Sequence, residues 1–275
     1  MRPDQAALPW RMPLLVRVTL ALHVAMLAGL ALRPDGWRWV AAPAIANHAV
    51  LTLVGLWPRS TWLGANWTRL PPAAAQRREI ALTIDDGPDP DVTPQVLDLL
   101  DRYGVKATFF CIGERASRYP DLCRSIAERG HAVENHSQHH RHDFSLLGMA
   151  GMARELQPAQ DALTAITGRR PQFFRAPAGL RNPFLDPVLA RLGLRLASWT
   201  RRGFDTRTTD AATISRRLTR GLKAGSILLL HDGNCARTAA GVPVILEVLP
   251  PLLEGATAAG LHFVTLPAAL APAPT

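Results

Sequence analysis

Residues 79–88, with the sequence EIALTIDDGP, decide the fold of this chain. The first seven of them, EIALTID, are mostly aliphatic or β-branched and predict a strand. Gly87 and Pro88 then force a turn, which places the carboxylates of Asp85 and Asp86 at the end of that strand. Because successive side chains on extended backbone diverge, one carboxylate can bind a cation while the other acts on a water molecule beside it. An ordinary acidic turn is the alternative interpretation.

Six further segments have the composition of short strands, and helical patterns lie between several of them. The strand segments are 106–113, 131–136, 172–177, 195–200, 226–232 and 262–266. The helical patterns run from Thr93, predicted as an N-cap before Pro94, to Gly104, and over 115–129, 145–167 and 210–224, each followed by a glycine. This alternation is typical of an α/β domain, and seven strands favour an incomplete, distorted (β/α)7 barrel over a sandwich.

Polar side chains recur where the predicted strands end. In a βα barrel the strand ends and the loops after them converge on one rim, where active sites form. The residues at these positions are Asp85, Asp86, His136, His140, Arg175, Asp205, His231 and Asp232. Their shared placement predicts one catalytic site at this rim.

The segment 136–140, HSQHH, places the imidazoles of His136 and His140 four residues apart. That spacing puts both rings on one face of a helical turn and suits zinc. With one nearby carboxylate they would form a set of two histidines and one aspartate, which leaves coordination positions open for catalysis. A solvent-exposed, histidine-rich loop is the alternative, because His139 and His142 lie in the same stretch.

Five motifs in this order resemble those of the polysaccharide deacetylases, the NodB-homology group also called carbohydrate esterase family 4. The resemblance spans about residues 78–266 and rests on TIDDGP at 83–88, HSQHH at 136–140, RAPAG at 175–179, WTRRGFD at 199–205 and LLHD at 229–232. The first motif has Ile84 where phenylalanine is common, and the fourth, the most variable, carries a distinctive insert at 201–203. The resemblance implies the NodB type of incomplete barrel.

The resemblance also implies a metal site and a reaction. Asp86, His136 and His140 would hold a divalent metal, for which zinc is the first choice and cobalt, nickel and manganese are the alternatives. Members of the family remove acyl groups from amino sugars by hydrolysis. The chain would therefore be an amidohydrolase that uses a metal-activated water molecule.

The remaining site residues follow from the same resemblance. Asp85 would be the general base and His231 the general acid, with Arg175 orienting Asp85 and Asp205 tuning His231. A backbone N–H near Ala178 would stabilise the developing oxyanion. The residues expected to line the substrate pocket are Leu229, Ala178 and Trp199.

Two apolar stretches, residues 12–32 and 39–57, precede this domain, and each is long enough to cross a hydrocarbon core of roughly 30 Å. A short polar turn joins them, and tryptophans flank the second stretch, as at a membrane interface. We predict a membrane anchor over residues 1–58 made of two transmembrane helices. A single span, an interfacial second segment and a cleaved signal peptide are the alternatives.

A hairpin of this kind returns the rest of the chain to the side of the N-terminus. The arginines on that side are Arg2, Arg11, Arg59 and Arg69, and those in the turn are Arg33 and Arg38. The larger number of arginines on the N-terminal side predicts an inner-membrane protein with a cytoplasmic catalytic face. The other predicted boundaries are a linker at 59–77, the catalytic domain at 78–268 and a tail at 269–275.

Composition excludes several classes of protein. Of the 275 residues, 48% are hydrophobic and 19% charged, which excludes a disordered chain, and three cysteines argue against a disulfide scaffold. The net charge of +9 comes almost wholly from dispersed arginines, so we predict no nucleic-acid partner.

The predicted substrate is therefore an N-acetylated or formylated amino sugar, either in a glycan or linked to a membrane lipid such as a polyprenyl phosphate. Membrane lipid around the N-terminus is the other predicted partner. A catalytically silent, membrane-anchored carbohydrate-binding module is the alternative function.

Overall fold

A computed structural model describes residues 7–271, so Arg2 and residues 272–275 of the predicted tail lie outside the described residues. The helices are α1 (Leu14–Leu32), α2 (Trp37–Gly55), α3 (Pro72–Gln76), α4 (Thr93–Arg102), α5 (Gly113–Arg118), α6 (Pro120–Glu128), α7 (Met149–Thr167), α8 (Leu185–Leu192), α9 (Ala211–Thr219) and α10 (Val244–Ala258). The strands are β1 (Glu79–Asp85), β2 (Thr108–Cys111), β3 (Ala132–Asn135), β4 (Phe173–Phe174), β5 (Arg195–Leu196), β6 (Arg201–Arg202), β7 (Ile227–His231) and β8 (His262–Phe263).

The strands form one parallel sheet in the order β5-β4-β3-β2-β1-β7-β6, and β8 pairs with the beginning of β1. Only the first two residues of the predicted strand at 195–200 form a strand, β5, and β6 begins just after its predicted end. The two strands lie at opposite ends of this order although only residues 197–200 separate them. Five peptide steps span at most roughly 18 Å, so the two ends of the sheet must approach each other. The sheet therefore curls into the predicted incomplete barrel, which is confirmed.

The predicted linker at 59–77 packs into the gap between the two ends of the sheet. Trp67 pairs with Ala197, just after β5, and Arg69 pairs with Ser226, just before β7. Helix α3 follows in the same segment. The segment is thus a packed part of the barrel wall, in addition to its role as a connection.

The main core lies between the sheet and the helices that cover its outer side. Leu82 and Ile84 of β1, and Leu228 and Leu230 of β7, point into this core. Helices α4, α9 and α10 pack on them with buried aliphatic side chains. Because side chains alternate along a strand, the intervening residues of β1 and β7 point into the barrel.

Several helices differ from the predicted ones for local reasons. The pattern at 115–129 divides into α5 and α6 at Pro120, which occupies the first turn of α6, where its missing N–H costs nothing. Helices α8 and α10 were not predicted from the sequence. Two prolines, Pro250 and Pro251, lie inside α10, yet the helix continues through them.

Thr93 does not act as the predicted N-cap, because Val92 occupies that position of α4 without a side-chain hydrogen bond. The Thr93 hydroxyl instead donates to Asp232 Oδ2 at 2.5 Å and accepts the N–H of Asp89 at 2.7 Å. Thr93 therefore connects the start of α4 to the loop after β7.

Helices α1 and α2 lie side by side as a hairpin. Thr19 Oγ1 donates to Asn47 Oδ1 at 3.1 Å, and the rings of His23 and His48 meet edge to face with centroids 5.2 Å apart. Among the described residues, α1 is the one helix that is long and apolar enough to cross a membrane, and α2 has the same length with more polar residues. The two-span anchor remains a prediction.

The base of the hairpin is docked on the catalytic domain. The Arg181 N–H donates to the Gly55 carbonyl at the end of α2, and the Arg181 guanidinium donates to the Ser60 carbonyl. The Ser198 hydroxyl donates to the Pro58 carbonyl at 2.6 Å. The end of α2 thus contacts the loops that follow β4 and β5.

His131, directly before β3, gives a pH-dependent contribution to stability that can be measured. It is buried, its Nδ1 accepts the Ala107 N–H at 3.1 Å, and burial lowers its pKa from 6.5 to about 4. The unfolded chain therefore binds a proton that the folded chain does not as the pH falls from about 6.5 to about 4. We expect up to about 3 kcal/mol of unfolding free energy to be lost over that window.

The variant His131→Asn keeps an oxygen that can accept the Ala107 N–H and cannot take up a proton in this range. We expect it to flatten this part of the stability profile, measured by chemical denaturation of the detergent-solubilised chain at each pH. An unchanged slope in the variant would assign the pH dependence to other groups.

Candidate active site

The site lies inside the barrel at the carboxyl end of β1. The register between β1 and β7 sets Thr83 opposite Leu229 and Asp85 opposite His231. These four side chains share the face of the sheet that is turned away from the main core. Asp85 and His231 therefore lie side by side on neighbouring central strands.

Asp86 and two histidines form a compact group beside Asp85. Asp86 has a left-handed backbone, with φ of 77°, which turns the chain sharply at the end of β1. Nε2 of His136 and Nε2 of His140 each lie 3.2 Å from Asp86 Oδ1. The three ligand atoms lie within 4.8 Å of one another, and this set could hold a divalent cation.

The two histidines present Nε2 to Asp86, and their pKa values are shifted in opposite directions. Burial lowers the pKa of His136, but the carboxylates of Asp85 and Asp86 outweigh burial and raise it overall. His136 Nδ1 lies 2.8 Å from the Arg175 carbonyl, which can only accept, so the neutral ring carries its proton on Nδ1 and keeps the lone pair of Nε2 free. Burial, and then repulsion from His136, lowers the pKa of His140 to about 4. Although burial opposes it, the neighbouring histidines hold the pKa of Asp86 far below its usual value.

The backbone of the 136–140 segment is held in an unusual shape. Ser137 and His140 both have left-handed backbones, with φ of 64° and 50°. Asn135 Oδ1 accepts the Ser137 N–H at 2.9 Å, and Ser137 Oγ accepts the His140 N–H at 3.0 Å. The side chain of His139 turns the other way, with its Nδ1 2.9 Å from Glu155 Oε1. The predicted pair, His136 and His140, is the pair that faces Asp86.

Arg175 is fully buried and orients Asp85. Its Nη1 donates to Asp85 Oδ1 at 2.6 Å and to Thr83 Oγ1 at 2.8 Å. Its Nε and Nη2 donate to the carbonyls of Ala197 and Ser198 at 3.1 and 2.7 Å. The guanidinium thereby occupies one oxygen of Asp85 and leaves the other, Oδ2, directed towards His136 Nε2 at 3.9 Å.

His231 is bound to Asp205, as the fourth motif implied. His231 Nδ1 lies 3.0 Å from Asp205 Oδ1, and its backbone N–H donates to Asp205 Oδ2 at 2.7 Å. Burial lowers the pKa of His231, but the Asp205 carboxylate outweighs burial and raises it overall. The arrangement favours a protonated imidazole whose Nε2 is free to donate.

The three predicted pocket residues lie around this group. Leu229 is buried two residues before His231 on the same face of β7. Trp199 lies over the Arg175 guanidinium, whose Cζ is 5.9 Å from its ring centroid. Ala178 has a left-handed backbone within the turn Pro177–Gly179, and a Cβ at Gly179 would lie only 2.6 Å from Trp199 Cη2.

Two contacts to Asp86 were not predicted from the sequence. Asn234 Nδ2 donates to Asp86 Oδ2 at 2.9 Å, and Arg115 Nη1 donates to the Asp86 carbonyl at 2.8 Å. These contacts leave Asp86 Oδ1 for the two histidines. Asn234 lies only two residues after the fifth motif, which was a usable signal, whereas nothing in the sequence connects Arg115 to Asp86.

Comparisons with known proteins agree with this fold. The family model for polysaccharide deacetylase matches residues 73–197. A peptidoglycan-N-acetylglucosamine deacetylase of Bacillus cereus is 34% identical over 194 residues, which cover 68% of this chain and 85% of that protein. A chitooligosaccharide deacetylase of Azorhizobium caulinodans is 39% identical over 160 residues, covering 56% of this chain and 73% of that protein.

Solved structures give the same result. The Bc1960 peptidoglycan N-acetylglucosamine deacetylase superposes with a TM-score of 0.65 at 27% identity, covering 74% of this chain and 91% of that one. The peptidoglycan deacetylase PdaC from Bacillus subtilis superposes with a TM-score of 0.61 at 29% identity, covering 70% and 89%.

The fold and the relatives define a hydrolase that acts on the amide bonds of sugars. The chain belongs to the polysaccharide deacetylase family, the NodB-homology group of carbohydrate esterase family 4. Deacetylases of this family are generally metal-dependent, in agreement with the Asp-His-His group described above.

The buried pair of Arg175 and Asp85 should show strong coupling in stability. Removing one partner of a buried ion pair leaves an unpaired charge and typically costs about 3–5 kcal/mol, so we expect Arg175→Met to lower the unfolding free energy by that order. Asp85→Asn removes the stranded charge, and the double variant should recover part of the loss. Chemical denaturation of the four proteins as a double-mutant cycle measures this coupling. Strictly additive effects would show that the pair contributes nothing beyond its separate contacts.

Proposed function

We propose that this protein removes the N-acyl group of an amino sugar by divalent-metal-dependent hydrolysis at the membrane surface. One observation supports this most directly: a base candidate, an acid candidate and a three-residue metal group meet at the end of β1. Asp85 is bound to Arg175, His231 is bound to Asp205, and Asp86 lies between two histidines.

The residues present fit a divalent cation. Asp86 Oδ1 is buried and has no hydrogen-bond partner among the described residues, while Nε2 of both His136 and His140 lies 3.2 Å from it. Zinc is the first choice for two histidines and a carboxylate. Bound there, the cation would supply a Lewis acid for the amide carbonyl and would lower the pKa of a water molecule.

Asp85 and His231 divide the proton transfers. Asp85 Oδ2 takes a proton from the attacking water as the new C–O bond forms, and Arg175 keeps that carboxylate aimed at the reacting atoms. His231 Nε2 then gives a proton to the sugar nitrogen as the C–N bond breaks. The products are a carboxylate and a free amine. The backbone N–H near Ala178 stabilises the oxyanion. The side chains of Leu229 and Trp199 line the space for the acyl group.

The substrate we propose is an N-acetylated amino sugar, because relatives of this chain are named deacetylases of peptidoglycan N-acetylglucosamine and of chitooligosaccharides. The apolar α1 at the base of the domain favours a substrate at the membrane, either an envelope glycan or a lipid-linked amino sugar carrying an acetyl or formyl group. The two classes are separated by measuring amine release from chitooligosaccharides and from a polyprenyl-phosphate-linked amino sugar.

Two matched histidine variants test the metal site. We expect the full chain with His140→Ala to lose most of its bound zinc, and His139→Ala, whose ring faces Glu155, to keep it. Asp85→Asn should keep its zinc and lose about 10²–10⁴-fold in amine release, because the base is missing while the ligands remain. Elemental analysis and amine detection give the two readouts. Full metal-dependent activity in Asp85→Asn would show that Asp85 is not the base.

The proposed topology is a two-span hairpin with a cytoplasmic catalytic face in the inner membrane. Arg11, Arg59 and Arg69 flank the hairpin on the side of the catalytic domain, which supports this orientation. We expect an alkaline phosphatase fusion after Gly36 to be active and a fusion after the last residue to be inactive. An active C-terminal fusion together with an inactive fusion after Gly36 would reverse the orientation. Equal signals at both positions would mean that α2 does not cross.

A further inference from the structure

A large apolar cavity lies where α1 meets the catalytic domain. Its volume is about 1120 Å³, beyond the roughly 300–1,000 Å³ of ordinary small-molecule sites. Three tryptophans contribute to its walls, Trp10, Trp62 and Trp67, together with aliphatic side chains at the end of α8 and in β5. The cavity is open at the surface, and several of its apolar side chains, such as Leu14 and Trp62, are exposed, so its walls are available to an apolar occupant.

The first turns of α1 form one wall of this cavity. Leu14, Leu15 and Val18 line it, and they belong to the helix that is long and apolar enough to cross a membrane. The opposite wall is fixed in place, because the Leu8 N–H donates to the Ala190 carbonyl and Trp10 Nε1 donates to Asp186 Oδ2 at 2.7 Å. A hydrocarbon chain in the bilayer leaflet that surrounds the first turns of α1 would therefore lie against the cavity.

Charge at the cavity favours a lipid with an anionic head group. The charged residues among its described lining are Arg11, Asp186 and Arg195. Asp186 accepts the Trp10 hydrogen bond, and Arg11 is exposed two residues before Pro13, the residue that precedes α1. Arg11 is thus a cation at the proposed membrane surface, where a lipid phosphate would lie.

The cavity is connected to the active site through one segment of chain. Thr61, Trp62 and Trp67 line the cavity, and the same segment carries Pro58, which packs against the turn at Gly179. The Trp67 carbonyl accepts the N–H of Ser198, whose own carbonyl binds Arg175. Filling the cavity would therefore hold the wall that supports Arg175.

We propose that this cavity binds an acyl chain of an anionic glycerophospholipid from the surrounding bilayer, with the head-group phosphate at Arg11. The bound lipid completes the packing between α1 and the barrel and sets the catalytic rim at a fixed position relative to the membrane. The proposal rests on the membrane attachment put forward under the proposed function, and it is independent of the chemistry assigned to Asp85 and His231.

Two valines of α1 give a matched test. Val18 is 52% exposed and lines the cavity, and Val24 is 67% exposed on the same helix outside the cavity lining. The detergent-solubilised full chain is incubated with dioleoyl-phosphatidylglycerol, and retained lipid is counted by native mass spectrometry. We expect one lipid on the unmodified chain and on Val24→Trp. In Val18→Trp the added ring excludes at least about two methylene groups, so retention should fall about tenfold or more.

Further measurements test whether the cavity recognises the acyl chain length and the charge of the head group. Dihexanoyl-phosphatidylglycerol, which has the same head group and short chains, should not displace the long-chain lipid, whereas Arg11→Gln should reduce the preference over dioleoyl-phosphatidylcholine. Ala65→Trp fills the cavity from the opposite wall and serves as the second variant, with Ala259→Trp as its control.

Equal lipid retention in Val18→Trp, Ala65→Trp and the unmodified chain would overturn the proposal, as would a lipid-free dimer in which a second copy covers the cavity. Extraction of the chain from membranes at high pH is scored separately. Release of the chain from the membrane would contradict the proposed membrane attachment. A chain that stays in the membrane but carries no bound lipid would contradict only the cavity proposal. Neither outcome bears on the proposed chemistry, which zinc content and amine release test separately.

Discussion

The buried guanidinium of Arg175 is the interaction on which both the barrel and the site depend. It donates to Asp85 on the central strand and to the carbonyls of Ala197 and Ser198, where the chain crosses from one end of the sheet to the other. It also lies over the ring of Phe110, 4.1 Å from the centroid. Removing a guanidinium from water is costly, and these paired donors are what offset that cost.

The same guanidinium explains why the position of the Asp85 carboxylate and the closure of the barrel are inseparable. A sheet whose ends are β5 and β6 can close only if residues 197–200 span the gap, and the carbonyls of Ala197 and Ser198 in this stretch point inwards. Inward carbonyls need donors, which Arg175 supplies. Its remaining donors fall on Asp85 and Thr83, so the group that satisfies the gap also fixes the base candidate.

Trp67 and its neighbours close this gap as part of the barrel wall. Trp67 bonds to the backbone on either side of Ala197, and its ring packs on Phe173 with centroids 5.0 Å apart. Since the segment begins at the end of α2, the hairpin is attached to the wall of the active site by short, ordered chain. The hairpin and the barrel therefore form one packed unit.

The sequence alone is sufficient to predict the strands of the central sheet and the site residues that lie at their ends. Runs such as 79–85 and 226–232 are apolar and end in polar residues, so both the strand and the catalytic side chain are visible locally. The end of β5 at Leu196 and the separate strand β6 at 201–202 could not be predicted in this way, because they depend on the curvature of the whole sheet. Asn234 and Arg115 were missed for a related reason: their contacts to Asp86 join segments far apart in the chain.

Helix α10 shows a different limit of local reasoning. Pro250 and Pro251 break a helical pattern by propensity, yet the buried face of α10 packs along α4 and α9 and outweighs two missing N–H donors. The burial of these side chains is large enough to offset the cost of the two prolines, since each fully buried aliphatic side chain contributes roughly 1.5–3 kcal/mol.

The polar residues of α2 can be reconciled with a membrane span by their direction. Asn47 and His48 lower the average apolarity of the helix, but Asn47 bonds to Thr19 and His48 packs on His23, both on α1. Its exposed surface includes Ile45 and Leu53, which suit lipid. Polar side chains on paired helices can bond to one another and stabilise the pair in hydrocarbon, as Thr19 and Asn47 do here, so the residues that lower the apolarity of α2 are compatible with the proposed hairpin.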